Sequence, residues 1–358
     1  MIPDEMRAAV LHEFGGPEVL RVEKIPVPVP GPGELLVRVA AVTVNQTLDI
    51  GVREGRRGTP NLPHVLGVDP VGTVVALGPP DGSDLAPTIG ATVAVTASIW
   101  CGTCDHCRRG RVDDCAAVRH VGVHRHGGYA EFVAVPVRNA HCVPNTWDPV
   151  DTAVIVRHVP TAVNLLRRAE LVDGETVLVM GAGGGLGVAG VQVARAEGAR
   201  VIAVAGSTAR LEAARRAGAD HLLDRRDCDV AGAVAELTGG RGVDVVFDNT
   251  GNPATWSAVT ASMARSGRLV VAGAHGGGRV ELDLNLLYRS RLRLIGGGGH
   301  TVDDVRRAID IAERGLAPAI VDTVMPLESV AEAHRRAEGS HGVGKVVISP
   351  LIRSAEYR

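Results

Sequence analysis

Four cysteines lie close together in the chain and have the spacing of a metal site. They are Cys101, Cys104, Cys107 and Cys115, in the pattern C-x₂-C-x₂-C-x₇-C. Turns at this spacing can bring four thiolates around one tetrahedral ion, and a shell of four cysteines is typical of a closed, structural zinc site. Iron–sulfur ligation uses related spacings, and an oxidised disulfide pair is a further alternative. The sequence therefore predicts a structural zinc ion held by these cysteines.

A second stretch has the pattern of a dinucleotide-binding turn. An apolar run, 177–180, leads into the glycine-rich residues 181–187, then a helical pattern and a second apolar run, 200–205. Strand, tight turn, helix and strand form a right-handed parallel unit, in which a pyrophosphate binds at the positive helix N-terminus. In a chain with 45 glycines, a purely structural turn is the alternative. The predicted cofactor residues here are Ala182, Gly184, Gly185, Leu186 and Gly187.

The end of the second apolar run indicates which nucleotide binds. An acidic residue there would bind the ribose 2′-hydroxyl of NAD. The sequence has Ala205-Gly206-Ser207 instead, with no carboxylate to repel a 2′-phosphate. Ser207 can donate a hydrogen bond and Arg210 supplies a permanent charge, although Arg210 can also be read as a solvated residue at a helix start. NADPH is therefore predicted in preference to NADH.

Composition narrows the class of protein. The 358 residues are 45% hydrophobic and carry a formal net charge of −2, so a basic surface for nucleic acid is not indicated. Charged residues interrupt every apolar run well before the length of a membrane span, and acidic residues stand where a signal peptide would be basic. We therefore expect a cytoplasmic protein that acts on a small-molecule substrate.

The elements that must position these motifs fall into two parts. Before residue 150 the sequence predicts an irregular antiparallel β domain, with strands at 6–14, 18–24, 34–44, 72–77, 92–96 and 129–135. Later strands are predicted at 177–180, 200–205, 243–247, 268–272 and 291–295, and the helices between and after them at 186–197, 208–217, 229–238, 253–264 and 302–314. This alternation is typical of a doubly wound parallel sheet. The predicted division is 1–150, 151–298 and 299–358, with the last segment returning to the first domain.

With these parts in this order, the chain resembles the medium-chain dehydrogenase/reductase superfamily over nearly its whole length. The cysteine lobe, at about 98–118, matches the structural zinc lobe of zinc alcohol dehydrogenases. The segment GAGGGLGVAGVQVARAEGARVIAVAGS is similar to quinone oxidoreductases and their NADPH preference. The resemblance implies an α/β fold with a GroES-like irregular β-barrel domain and a Rossmann domain, and a homodimer or homotetramer. The further cofactor residues that it implies are Thr161, Asn249, Thr250, Gly273, Ala274, Ile295 and Gly296.

The chain departs from the alcohol dehydrogenases where that group holds a catalytic zinc. The first cysteine ligand corresponds to Asn45, and the histidine of the Gly-His-Glu motif corresponds to Val68. The third ligand falls near Arg157. Valine and arginine side chains do not ligate zinc. We therefore predict that the catalytic zinc is absent while the structural zinc is kept.

Three residues near these positions are predicted to act in catalysis. Asn45 resembles the asparagine of the quinone-reductase motif, which would bind a substrate oxygen or the cofactor; a turn-forming residue is the alternative. Thr47 occupies the place of the hydroxyl that relays protons in alcohol dehydrogenases. His158 can donate to an enolate and titrates near neutral pH, with a structural histidine as the alternative. Arg157 would instead bind an anionic group of the substrate.

Two nearby carboxylates have several interpretations. In the quinone-reductase pattern an aspartate lies three residues after the asparagine, whereas Asp49 lies four after Asn45. We expect Asp49 and Arg53 to form an ion pair at the surface. Asp69 is expected either to support a site residue or simply to hydrogen-bond a loop.

Without a catalytic zinc, hydride addition to an already polarised acceptor remains feasible. The hydride would reach the β-carbon of an enone, an enal or a quinone, and a donor would stabilise the developing enolate. The sequence thus predicts an NADPH-dependent reductase. One alternative is an alcohol dehydrogenase with an unusual metal site that uses His64, Asp69 or His158. Another is a noncatalytic NADPH-binding protein.

Overall fold

The structure is a computed structural model that describes residues 1–58, 60–80, 82, 87–316, 319–339 and 342–352. Its chain divides into two units, of which the first is 1–157 with 321–358 and the second is 158–320. Within the described ranges, no helix is both long and apolar enough to cross a membrane.

The first unit consists mainly of strands, and in the second unit strands alternate with helices. In chain order the strands are β1 (Glu5–Leu11), β2 (Leu20–Pro26), β3 (Glu34–Thr43), β4 (His64–Val65), β5 (Val71–Leu77), β6 (Thr92–Val95), β7 (Ser98–Ile99), β8 (Arg119–His120), β9 (Phe132–Pro136), β10 (Ala140–Cys142), β11 (Thr176–Met180), β12 (Arg200–Ala205), β13 (His221–Asp224), β14 (Val243–Asp248), β15 (Met263–Val271), β16 (Arg293–Gly296), β17 (Val321–Pro326) and β18 (Lys345–Ser349). The helices are α1 (Gly51–Arg53), α2 (Asp105–Arg108), α3 (Pro149–Arg168), α4 (Gly185–Ala196), α5 (Thr208–Arg216), α6 (Val230–Leu237), α7 (Pro253–Ala261), α8 (Leu284–Arg289), α9 (Val302–Glu313) and α10 (Val330–Glu338). A π-helical turn, Gln46–Ile50, leads into α1.

The first unit is built around β3, which is buried on both faces. β3 pairs antiparallel with β5, β9 and β18 in a sheet of order β10-β6-β5-β3-β18-β17. Because side chains alternate along a strand, Leu35, Val37 and Val39 join one apolar cluster, while Leu36 and Val42 join another. The sheet β2-β1-β4 packs into the second cluster. These two clusters form the apolar core of the unit.

The second unit is a parallel sheet of order β13-β12-β11-β14-β15-β16. β11, with the sequence TVLVM, is buried along its whole length, as expected for a parallel strand with helices on both faces. The prediction of a β-rich domain followed by a doubly wound parallel sheet is confirmed. All the carboxyl ends of these strands lie at one edge of the sheet.

The boundaries between the two units lie after residues 157 and 320, which is later in the sequence than the predicted boundaries at 150 and 298. The first division falls inside α3, after Arg157, because one continuous helix passes from the first unit into the second. The second falls after residue 320, because α9 is held to the second unit by polar contacts. Asn164 and Arg167 both donate to the buried carboxylate of Asp304 on α9, at 2.8 and 2.9 Å.

In the second unit, two elements lie where the sequence pattern predicted none. β13 has four residues and α8 has six, and neither is long enough to show a periodic apolar pattern. The strand expected at 129–135 begins instead at Phe132. The backbone N–H of Tyr129 donates to Leu66 O, which draws the start of that segment away from the ladder with β3.

Candidate functional site

The predicted dinucleotide turn joins β11 to α4 in the second unit. A Cβ on Gly187 would lie 2.1 Å from Gly181 O, so only glycine allows the helix to approach the turn this closely. Gly184 is the N-cap of α4 and provides no side-chain cap for the first N–H groups of the helix. A Cβ on Gly184 would meet only Gly181 O, at 3.5 Å, so its outer side is open. Uncapped N–H groups beside open space are what a pyrophosphate requires.

The neighbouring strand ends carry further predicted cofactor residues. The sheet register aligns Met180, Asp248, Val271 and Gly296 in one row, so the residues that follow these strands share one edge. In the described part of the chain, the buried Nδ2 of Asn249 has no hydrogen-bond partner. Its Oδ1 would lie 2.8 Å from a Cβ on Gly181, at the start of the glycine turn. An unsatisfied donor beside this turn fits a bound dinucleotide.

The remaining predicted cofactor residues have less distinctive surroundings. Thr250 uses its hydroxyl to donate to Asp248 at 2.7 Å, within its own turn. Gly273 is packed against the backbone of Asn249, where a Cβ would lie 2.4 Å from the carbonyl oxygen. Ala274 follows Gly273 and is exposed, whereas Thr161 on α3 is half-buried. Ile295 and Gly296 end the edge strand β16.

The end of β12 presents hydrogen-bond donors and no carboxylate. Ser207 caps α5, and its Oγ accepts from the N–H of Arg210 at 3.4 Å. Arg210 packs against the glycine turn, since a Cβ on Gly183 would lie 2.3 Å from Arg210 Cβ. The predicted phosphate-binding pair therefore lies beside the pyrophosphate turn.

A third residue at this place was missed by the sequence analysis. The guanidinium of Arg225 covers Gly206, where a Cβ would lie 2.8 Å from Nε. The backbone N–H of Arg225 donates to Ala205 O at 3.0 Å, which fixes the segment beside β12. Arg225 follows β13, a strand that was not predicted. The signal for it was the basic pair Arg225-Arg226 directly after the HLLD segment.

The four cysteine sulfurs of the first unit fit one tetrahedral ion. All four lie within 4.8 Å of one another. The Sγ–Sγ distances are 3.6 Å for Cys101–Cys115, 3.9 Å for Cys101–Cys107 and 4.0 Å for Cys104–Cys115. A tetrahedral ion with Zn–S bonds of ~2.3 Å places its sulfurs ~3.8 Å apart. Across the described ranges, no other group of three or more His, Cys, Asp or Glu side chains is arranged in this way.

The surroundings of the cysteine sulfurs shift their pKa values in opposite directions. The N–H groups of Thr103 and Cys104 donate to Cys101 Sγ at 3.4 and 3.3 Å and lower the pKa of Cys101 to about 6. Desolvation raises the pKa of Cys107 to about 12. Binding of a zinc ion would make all four sulfurs thiolates, and zinc fits the number and type of donors.

Asn45 and Thr47 lie on the π turn that follows β3. Ile50 donates its backbone N–H to Asn45 O at 3.2 Å, so this turn contains one residue more than an α-helical turn. Asn45 Oδ1 accepts from the N–H groups of Thr47 and Leu48 at 3.0 and 2.8 Å. The side-chain oxygen of Asn45 is therefore used to cap the turn, and the Thr47 side chain is exposed.

The extra residue places Asp49 in the interior. Asp49 is fully buried and accepts from Asn45 N–H at 2.9 Å, Gly67 N–H at 3.0 Å and the Tyr129 hydroxyl at 3.2 Å. Burial nevertheless raises the pKa of Asp49 to about 6. The expected surface ion pair between Asp49 and Arg53 is wrong. Both side chains point inward from the turn, where backbone donors satisfy Asp49.

Arg53 is satisfied by other groups of the first unit. Its side chain is 1% exposed and donates to Gly15 O at 3.0 Å and to Glu54 at 3.1 Å. It also forms an ion pair with Glu338 on α10. A buried guanidinium with this many acceptors has a structural role. Arg53 therefore stabilises the π turn and is not assigned to the candidate site.

An ion pair lies beside two of the positions that the resemblance assigns to catalytic zinc ligands. Arg157 Nη1 donates to Asp69 Oδ2 at 3.0 Å, and Asp69 Oδ1 accepts from Ala97 N–H at 2.7 Å. The Asp69 side chain is 1% exposed, and that of Arg157 is 19% exposed. Val68 is fully buried. The three ligand positions thus carry an amide, two methyl groups and a guanidinium, none of which binds zinc as a thiolate or imidazole does.

The other residues predicted near this position either already have hydrogen-bond partners or lie in the second unit. His64 Nε2 hydrogen-bonds to Gly122 O at 3.1 Å, and burial lowers the pKa of His64 to about 4. Both oxygens of Asp69 are used, as described above. His158 is half-buried on α3 and is the first residue of the second unit.

Comparisons with known proteins agree with this architecture. A family model described as an alcohol dehydrogenase GroES-like domain matches residues 31–145, and one described as a zinc-binding dehydrogenase matches residues 185–314. An NAD-dependent alcohol dehydrogenase from Sulfurisphaera tokodaii is 31% identical over 96% of this chain and 100% of its own length. The family models therefore cover most of the β-rich unit and most of the parallel sheet.

Two solved structures are similar along nearly the whole chain. The crystal structure of AibC has a TM-score of 0.91 and 36% identity, and covers 98% of this chain and 97% of its own. A structure from Sinorhizobium meliloti, described as a zinc-binding dehydrogenase bound to NADP, has a TM-score of 0.86 and 30% identity, with 97% and 100% coverage. The relatives thus include proteins named for NAD and for NADP.

The cysteine cluster predicts the zinc content of the purified protein. Dialysed wild-type protein is expected to hold one zinc ion per chain by elemental analysis, and Cys104→Ser none. Loss of the ion should lower Tm by about 5–10 °C, because a domain of this size loses ~2–4 °C per kcal/mol. The control is Cys142→Ser, an exposed thiol outside the cluster. Two zinc ions per wild-type chain would contradict the loss of the catalytic site.

The π turn predicts that Asn45 contributes to stability. Asn45→Ala should lower the free energy of unfolding by about 1–2 kcal/mol, because it removes the acceptor for two N–H groups. Asn45→Ser should retain most of that stability, since serine also caps. Equilibrium urea unfolding measures both variants. Unchanged stability together with lost NADPH oxidation would instead assign the amide to catalysis.

Proposed function

The chain belongs to the medium-chain dehydrogenase/reductase superfamily, and we propose that it is an NADPH-dependent reductase that works without a catalytic zinc. That it is an oxidoreductase follows from its relatives and its two family domains. The observation that carries the finer proposal is the ion pair of Arg157 with Asp69. The Arg157 guanidinium lies near the place where a third zinc ligand would be needed, and its ion pair occupies the carboxylate of Asp69.

The proposed substrates are activated C=C bonds, in enones or enals, and quinones. Zinc in alcohol dehydrogenases polarises an alcohol or carbonyl oxygen, and the residues at the three ligand positions do not supply that metal. An acceptor that is already conjugated requires less polarisation before it accepts a hydride. When bound, NADPH supplies the hydride. The chain's own contribution is to bind the two reactants and to provide hydrogen-bond donors for developing negative charge.

The residues at the end of β12 support NADPH as the cofactor. Ser207, Arg210 and Arg225 surround a strand end that has no carboxylate. A 2′-phosphate carries negative charge and accepts several hydrogen bonds, which two guanidinium groups and a hydroxyl can satisfy. The NADP-bound structure from Sinorhizobium meliloti supports this choice, whereas the relative from Sulfurisphaera tokodaii is named for NAD.

A second candidate function is alcohol oxidation, which the name of the Sulfurisphaera tokodaii relative favours. It would need a metal site other than the cysteine cluster. Such a site would use His64 and Asp69. His64 is already hydrogen-bonded to Gly122 O, and Asp69 accepts from Ala97 N–H and from Arg157. This candidate therefore requires a rearrangement of the first unit on metal binding.

We also propose that the chain self-associates as a homodimer or homotetramer. The edge strand β16 exposes Leu294, and the neighbouring α8 exposes Leu284 and Tyr288. Apolar side chains at a sheet edge support burial against a second copy. Light scattering on the purified protein measures the number of chains.

The substrate class is tested by stopped-flow NADPH oxidation with 2-cyclohexenone, trans-2-hexenal and 1,4-benzoquinone. We expect oxidation with at least one of them, and no oxidation of primary or secondary alcohols with NADP⁺ or NAD⁺. The dialysed protein is used, so that only firmly held zinc is present. Robust alcohol oxidation, with indifference to all three acceptors, would establish the second candidate instead.

The cofactor preference is tested with Arg225→Gln. Loss of one guanidinium at the 2′-phosphate should raise the Kd of NADPH about 10-fold, which corresponds to ~1.4 kcal/mol, and leave the Kd of NADH unchanged. Titration of nucleotide fluorescence at fixed ionic strength measures both constants. The matched control is Arg226→Gln, whose Nε donates to Asp224 at 3.0 Å. An equal loss for NADPH and NADH would contradict a specific phosphate contact.

A further inference from the structure

Arg157 has unused hydrogen-bond donors at the position of the missing metal. A guanidinium has five N–H donors in one plane, and the carboxylate of Asp69 takes one of them, on Nη1. The Nε–H is buried, and no described residue accepts from it. A buried donor without an acceptor is costly, so it calls for a ligand or a water molecule at this place.

The direction of the guanidinium is fixed by its partner. Asp69 is buried, and its other oxygen is held by Ala97 N–H at 2.7 Å. Its backbone has φ +56°, a left-handed conformation that is uncommon for a residue with a Cβ. A carboxylate held at both oxygens leaves little freedom to the arginine that it binds. This is the preorganisation that a catalytic electrophile needs, because no reorganisation is required when charge develops.

Arg157 also carries a permanent positive charge, whereas burial lowers the pKa of the two basic groups that it influences, His120 and Lys345. Burial, followed by the neighbouring His124 and the charges of Arg57 and Arg157, lowers the pKa of His120 to about 4. Burial and then Arg157 lower the pKa of Lys345 to about 8. The two carboxylates that influence Lys345 are Asp69, which is paired with Arg157, and Asp49, which accepts from three donors. A guanidinium keeps its positive charge throughout the neutral range.

From these observations we propose that Arg157 replaces the catalytic metal as the electrophile, and that the substrate is an α,β-unsaturated carbonyl compound whose oxygen accepts from the Arg157 guanidinium. This deepens the proposed reductase function and rests on it. The oxygen is the recognised atom, so enones, enals and unsaturated esters or thioesters belong to this class, and saturated alcohols do not. Asp69 acts as a positioning residue through Arg157.

The reaction balances in electrons and protons. Hydride brings two electrons to the β-carbon, and NADPH becomes NADP⁺. The C=C pair moves toward the carbonyl carbon, the C=O pair moves onto oxygen, and the resulting enolate is stabilised by the N–H groups of Arg157. One proton from solvent then adds to the α-carbon and restores the carbonyl. The sum is substrate, NADPH and H⁺ giving saturated product and NADP⁺.

The kinetic test compares Arg157→Gln with wild type on the best enone. Removing one donor from an oxyanion site lowers kcat by about 10²–10³-fold, and we expect that loss with little change in KM and none in the Kd of NADPH. Guanidine added at millimolar concentration should restore part of kcat in Arg157→Ala. The matched control is Arg57→Gln, an exposed arginine that also influences His120 and is expected to keep wild-type kcat. A loss confined to KM, or unchanged kcat, would overturn the proposal.

Two further measurements separate the proposal from a folding defect and from failure of the reductase function. Because Arg157→Gln leaves Asp69 buried without its cation, the double variant Arg157→Gln with Asp69→Asn removes both charges and should show the same loss of kcat. Infrared difference spectra of bound 2-cyclohexenone with NADP⁺ should show a lower carbonyl stretching frequency in wild type than in Arg157→Gln. If wild type oxidises no NADPH with any enone, the reductase function fails, and the spectrum alone decides whether Arg157 donates to a carbonyl oxygen. Equal frequencies in the two proteins would overturn the assignment.

Discussion

Two buried carboxylates beneath the end of β3 impose the main constraint on the first unit. A carboxylate removed from water must be matched by N–H donors or by a positive charge, or it is strongly destabilising. Asp49 is matched by two backbone N–H groups and the Tyr129 hydroxyl, and Asp69 by Ala97 N–H and the Arg157 guanidinium. The backbone around both residues follows from this requirement, since the π turn and the left-handed φ of Asp69 bring the donors and acceptors together.

Asp69 needs a counter-charge because its carboxylate is buried. Arg157 supplies that charge from α3, and valine at the central ligand position fills its space with methyl groups that are fully buried. The result is a neutral pair that leaves guanidinium donors unused. Asp69 and Arg157 are therefore physically coupled, although they are far apart in the sequence.

Features set by local sequence were predictable, and features set by contacts across the fold were not. Three predicted features are short patterns: the cysteine spacing, the glycine turn and the absence of an acid after β12. In each, the structure keeps the residues of the pattern next to one another. The ion pair of Arg157 with Asp69 joins residues 88 positions apart, which no local pattern reveals. The sequence showed the extra residue before Asp49, but not that a π turn absorbs it and buries the carboxylate. Arg225 was missed because its place depends on β13, a strand too short to recognise.

The cysteine lobe and the region around Asp69 also differ in what stabilises them. The cysteine lobe has little apolar core of its own, since α2 has four residues and none of them is buried. A zinc ion bound by the four nearby cysteines would hold this lobe together, and loss of one ligand would then release it. Val68, next to Asp69, instead packs in an apolar cluster of the first unit. What the region of Asp69 requires is a balance of charge, which the Arg157 guanidinium supplies.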